Sequence, residues 1–138
     1  MELSDFAIRI AAAIAAGLLI GIERELKNKS AGIKTNALVS LGASIFVIIS
    51  LRYADRDFTD VTRVLGQVVT GIGFLGAGAI LQQKDKVKGL TTAATIWCSA
   101  GAGCLAAVGD FKELALLTVV VVFINLIFGI IDSKIGSS

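Results

Sequence analysis

"TGIGFLGAGAILQQ", residues 70–83, packs four glycines into eight positions, and Gly71-Ile-Gly73-Phe-Leu-Gly76 spells the GxGxxG pattern of a dinucleotide-binding turn. The same letters also suit a membrane helix whose small residues let a second helix lie close. A phosphate-binding turn follows a buried strand, opens a helix in water and is answered about 20 residues later by an acidic ribose ligand. Here "VLGQVV" upstream belongs to the same apolar segment, and "TTAATIW" downstream holds no carboxylate. The nucleotide reading fails on context, and the glycines are read as a membrane-helix face.

Working outward, the 138 residues are 55% hydrophobic and 17% charged, with a mean hydropathy of +0.83; ordinary globular chains are about 25% charged. A net charge of +2 is too small to suggest nucleic acid. Nearly all charges fall in short clusters. Between them lie five runs: Phe6 to Ile22, Asn36 to Leu51, Val64 to Leu81, Leu90 to Val108 and Leu114 to Ile131, the second the shortest. A crossing helix needs about 20 apolar residues, and without water every backbone group must pair internally, which makes such runs helices. Strand alternation is absent. The predicted fold is all-α: one domain, residues 1–138, a polytopic bundle of about five transmembrane helices packed through Gly, Ala and Thr faces in a lipid bilayer.

The first run is read as a retained helix. Glu2 and Asp5 make its leading end acidic where a secretory signal is basic, and Arg9 sits inside it,. Asp5 and Arg9, four apart, share a helical face. Basic residues set orientation. Arg24, Lys27, Lys29 and Lys34 in the first loop, Lys84, Lys86 and Lys88 in the third, and Lys134 make 8 of 13 on one side; the other side carries five basic and seven acidic residues. This predicts an N-terminus outside and a C-terminus in the cytoplasm.

Small residues let helix backbones approach in lipid. Gly66, Thr70, Gly73 and Ala77 form a stripe on the third helix, and Thr92, Thr95, Ser99, Ala102 and Ala106 a stripe on the fourth; the two are expected to pack together. Gly71, Gly76, Gly78, Gly101 and Gly103 complete the expected packing set. There is no proline to kink a helix, and Cys98 and Cys104, six apart without any histidine, read as small packing residues and not as a zinc site,. No metal and no cofactor is expected.

"GLLIGIERE" (Gly17 to Glu25), "AGIKTNALVSLGA" (Ala31 to Ala43), "QVVTGIGFLGAGAIL" (Gln67 to Leu81) and "VKGLTTAATIWCSAGAG" (Val87 to Gly103) together resemble the MgtC/SapB family of bacterial inner-membrane proteins. The resemblance covers the membrane domain. Longer relatives continue into a soluble C-terminal domain resembling ACT modules, which lies outside these 138 residues. Many relatives carry arginine where Lys34 and Lys88 stand, which keeps the charge and loses the bidentate fork. The resemblance implies a place in the inner membrane and a role in adaptation to low magnesium and in virulence. It also implies, in some members, inhibition of the F-type ATP synthase by membrane contact.

The predicted topology gathers Glu23, Arg24 and Glu25 at the end of helix one, Lys34, Thr35 and Asn36 at the start of helix two, and Lys88, Thr91 and Thr92 at the start of helix four. Two readings fit this cytoplasmic cluster. Threonine caps and helix N-termini beside Lys34 and Lys88 would attract an anion; alternatively Glu23 supplies the carboxylate for an internal salt bridge. From the other side Asp60, Arg63, Gln67 and Thr70 follow one helical stripe, read as Asp60 facing the helix dipole, Arg63 pairing with it and Gln67 bonding across helices. "DRDFTD" lacks the glycine and the final glutamate of a calcium loop and reads as a solvated loop,.

A carrier of hard divalent cations wants carboxylates within its spans. None is expected there, and no nucleophile and base pair suggests an enzyme. The sequence predicts a homo-oligomeric, non-enzymatic regulator that contacts other membrane proteins; the alternative is a channel or transporter for magnesium or another small ion.

Overall fold

A computed structural model describes the backbone of residues 1–57, 60–83 and 86–135, with side chains except at 81–86 and 130–135. Five helices occur among these residues: α1 (Leu3–Leu26), α2 (Ile33–Leu51), α3 (Thr62–Ala79), α4 (Leu90–Val108) and α5 (Phe111–Ile135). Four contain stretches long and apolar enough to cross a bilayer, Leu3–Leu26, Ile33–Leu51, Leu90–Val108 and Phe111–Gly129. Helix α3 is not among them, because Arg63, Gln67 and a run of glycines dilute its hydropathy. It nevertheless runs antiparallel to α4, with Gly76 facing Ala93.

Helix directions follow from the cross-links. Arg9 donates to the carbonyl of Ala107 and Arg24 to Thr92, so α1 and α4 are antiparallel. Asn36 meets Ser99, and Gly103 lies against Ser40, so α2 and α4 run parallel. Gly109 sits by Arg9 and Gly129 by Glu23, so α1 and α5 are parallel. The five helices thus alternate in direction along the chain. Helix α4 is the centre: Ala102 and Ala106 pack with Ala13, Ala16 and Ile20 of α1 and Val121 of α5, while Ile96 and Ala100 pack with Ala43 and Ile72.

The expected pairing of small stripes is corrected. Thr92, Thr95, Ser99, Ala102 and Ala106 are all buried, but their described partners lie on α1, α2 and α5. On α3 only Ile72 and Gly76 are buried. A Cβ at Gly66, Gly71, Gly73, Gly78 or Gly101 would meet nothing within 4 Å, whereas Gly76 and Gly103 do abut a neighbour. The close helix approaches lie elsewhere: at α2–α4, where a Cβ on Gly103 would collide with the Ser40 carbonyl, and at α1–α2, where a Cβ on Gly17 would stand 2.5 Å from the Asn36 carbonyl oxygen and one on Gly21 2.6 Å from the Ile33 Cα. At α1–α2 the contact is made by Gly17 and Gly21. Those two glycines form a GxxxG pair, the motif that lets backbones touch in lipid.

A second correction concerns the segment after α3. The helix ends at Ala79, and Leu81–Gln83 and Lys86–Lys88 form an antiparallel hairpin with Leu81 opposite Lys88. Its strands pair the backbone groups that a helix can no longer satisfy. Gly89 closes it with φ +93°, where a Cβ would collide with the Ala79 carbonyl. Lys84, used above for orientation, and Phe58 and Thr59 of the solvated loop lie outside the described residues, as does the side chain of Lys134.

Candidate functional site

The polar cluster forms at the end of the bundle shared by the α1–α2 loop and the hairpin. Helix α1 runs to Leu26, a turn past the predicted boundary at Ile22, because Glu23 pairs one turn on with Lys27 and Arg24 finds partners within the protein. Glu23 thus lies beyond the predicted span but inside the packed end of the bundle. Glu23 and Arg24 are each only 3% exposed.

Arg24 fastens the loop and α4. Its Nη2 donates to the Thr92 hydroxyl and, at 3.2 Å, to the Ser30 carbonyl, which Nε also reaches at 3.3 Å. The loop that offers this carbonyl turns through left-handed conformations at Asn28 (φ 51°) and Ala31 (φ 56°). Alanine is rarely found there, so surrounding contacts must hold it. Asn36 is one of them. Fully buried in the first turn of α2, it donates through Nδ2 to the carbonyls of Ala31 at 2.5 Å and Gly32 at 3.0 Å, and its Oδ1 accepts the Ser99 hydroxyl at 2.7 Å. One side chain thereby satisfies loop carbonyls and links α2 to α4. Glu25 caps α2 from outside, its Oε2 accepting the Ile33 amide at 3.1 Å.

Glu23 turns toward α5. Lys27 Nζ stands 3.1 Å and Lys29 Nζ 3.7 Å from Glu23 Oε1. The Lys27 contact is an ion pair whose alignment falls short of a hydrogen bond. Gly129 of α5 lies directly over the group, with the position of its absent Cβ 3.3 Å from Glu23 Oε1 and in collision range of Lys27 Nζ. One turn before it, Asn125 is buried with Nδ2 unpaired among the described side chains.

The remaining predicted residues separate. Lys34, Thr35, Lys88 and Thr91 are exposed, and Thr91 contributes its carbonyl to the Thr95 hydroxyl at 2.8 Å. Neither Lys34 nor Lys88 is among the described ion-pair partners of Glu23. The pairings expected of the outer stripe are not among the described contacts. Asp60 accepts the amide and hydroxyl of Thr62 at 3.0 and 2.6 Å, which holds its carboxyl below the ordinary value. Arg63 is outside salt-bridge range of it among the described pairs. Gln67 has no described cross-helix bond and lines a cleft between α2 and α3, while Thr70 bonds back to the Gly66 carbonyl at 2.9 Å. Sequence reasoning missed Gly17, Gly21, Lys27, Lys29 and Gly129. The GxxxG spacing and the i, i+4 pair Glu23–Lys27 were the signals available.

Chemically, the cluster is a clamp. Arg24, Thr92, Asn36 and Ser99 spend hydrogen bonds between α1, α2, α4 and the first loop, while the buried Glu23 carboxylate sits under α5 beside two ammonium groups with neither oxygen hydrogen-bonded among the described residues.

The family model described as "MgtC family" matches residues 10–134. The chain is 40% identical over 127 residues to Protein MgtC of Salmonella typhimurium (strain LT2), covering 92% of this chain and 54% of that protein. It is 43% identical over 123 residues to Protein MgtC of Brucella abortus (strain 2308), covering 89% and 51%, and 43% identical over 126 residues to an uncharacterized protein of Synechocystis, covering 91% and 53%. The chain spans about half the length of the curated relatives it matches. No solved structure matches it.

Proposed function

The chain belongs to the MgtC family, and we propose that it is a regulator linked to magnesium limitation, acting in the bacterial inner membrane by contact with other membrane proteins. Its N-terminus lies outside and its C-terminus in the cytoplasm, since Arg24, Lys27, Lys29, Lys34 and Lys88 gather at one end of the bundle,. Its partners are a second copy of itself and membrane complexes such as the F-type ATP synthase. It performs no catalysis.

The supporting observation is where the buried polar groups are spent. Arg24 and Thr92 bind each other, as do Asn36 and Ser99, and Glu23 faces Lys27 and Lys29. A path for a hard cation needs oxygen ligands available along the span, and two ammonium groups beside Glu23, the one buried carboxylate among the described residues, oppose a cation there. The second reading, an ion carrier, draws on the burial of Glu23, because intramembrane carboxylates mark ion pathways. Magnesium and proton flux in liposomes, against empty vesicles and a Glu23→Gln control, separates the two. The expected result is flux at background from folded, inserted protein; flux that Glu23→Gln abolishes would overturn the contact reading.

A further inference from the structure

We propose that the cleft between α2 and α3 binds one anionic phospholipid, with its phosphate at Lys34 and Thr35 and an acyl chain lying between the two helices. The inference rests on the membrane reading alone and stands whichever way ion flux is decided.

The cleft has a volume of about 660 Å³, and its α2 wall runs from Lys34 to Phe46. The twelve rises of about 1.5 Å from Lys34 to Phe46 make that wall about 18 Å long, close to one leaflet of a hydrocarbon core roughly 30 Å thick. The polarity is graded in the same direction. Lys34 and Thr35 stand at the membrane-surface end, and below them the wall is apolar apart from Gln67 of α3. Space is kept by glycine: Gly42 and Gly71 line the cleft from opposite helices, and a Cβ at either would meet nothing within 4 Å.

Charge selects the occupant. Lys34 has no carboxylate within 4.0 Å among the described side chains. It lies in the first turn of α2, where the positive end of the helix dipole adds to its own charge,. A second copy seated here would leave that ammonium in an interface without a described counter-charge, whereas a lipid phosphate at headgroup level supplies one. An apolar slot one leaflet deep with a cation at its mouth has the shape of a single amphiphile with an anionic head.

The test is native mass spectrometry of the detergent-purified chain, offered phosphatidylglycerol and phosphatidylcholine of matched acyl chains in equal amounts. The expected result is one retained phosphatidylglycerol, favoured about fivefold, the factor one basic residue supplies at an anionic surface. Lys34→Gln should reduce that preference to parity, and Gly71→Leu should remove both lipids by filling the slot. Equal retention by the unaltered protein, a preference that survives Lys34→Gln, or a dimer that Gly71→Leu dissociates would overturn the proposal. Lys34 is exposed, so its variant decides the charge question even where Gly71→Leu fails to fold.

Discussion

Asn36 shows how a single residue can be read correctly for its place and missed for its bonds. Its position at the start of α2 follows from the hydropathy boundary, but only the fold brings Ser99, 63 residues away, to its Oδ1. Glycine behaves the same way. Gly17 and Gly66 are indistinguishable as letters, yet one touches the backbone of α2 and the other faces open space. Gly17→Leu should therefore force α1 and α2 apart and lower stability by roughly 3 kcal/mol or more, by overpacking of a tight contact. Gly66→Ala should leave stability unchanged or raise it by up to about 1 kcal/mol through helix propensity. Steric-trapping unfolding in bicelles measures both, and equal losses at the two sites would refute the packing described. The dense glycine run at residues 70–78 lies mostly on an open face of α3, while the sparser Gly17–Gly21 pair and Gly103 make the close contacts, because density of small residues does not say which face is covered.

At the scale of the element, α3 departs most from the pattern expected of it. It carries few buried residues and is held at its start by Ser50, which donates to the Val61 carbonyl at 3.1 Å, and by the Asp60–Thr62 turn. Hydrogen bonds from Thr62 stabilise the ionised form of Asp60 and lower its pKa. A carboxyl lowered on folding contributes stability above its unfolded pKa, about 3.9, and loses it as pH falls through the lower folded value. Thr62→Val should raise the Asp60 pKa toward the ordinary carboxylate range, read by carbon-13 NMR titration; no change would mean that the hydroxyl bond is not formed. The hairpin after α3 could not be read from hydropathy, since its strands are three residues each, too short for alternation to register. Helices α1, α2, α4 and α5 were legible because each rests on a long apolar run, the one signal that survives without knowledge of the partner.

For the whole molecule, helices that alternate in direction place the α1–α2 loop and the hairpin at one end and the α2–α3 loop at the other. In a Cys98→Ser, Cys104→Ser background, a single cysteine at Asn28 or Val87 should react with impermeant maleimide only in inverted vesicles, and one at Asp55 only in intact cells. Labelling of Asn28 and Asp55 from the same side would remove the alternating passage. The buried polar groups Arg24, Thr92, Asn36 and Ser99 at the basic end hold the helices together. A double-mutant cycle on Asn36→Ala and Ser99→Ala, read as unfolding free energy in bicelles, tests this most directly. Hydrogen bonds between membrane helices average about 0.6 kcal/mol and reach about 1.7, and a coupling within that range is the expected result. Strict additivity of the two losses would contradict it, and the cluster could then no longer be regarded as a clamp.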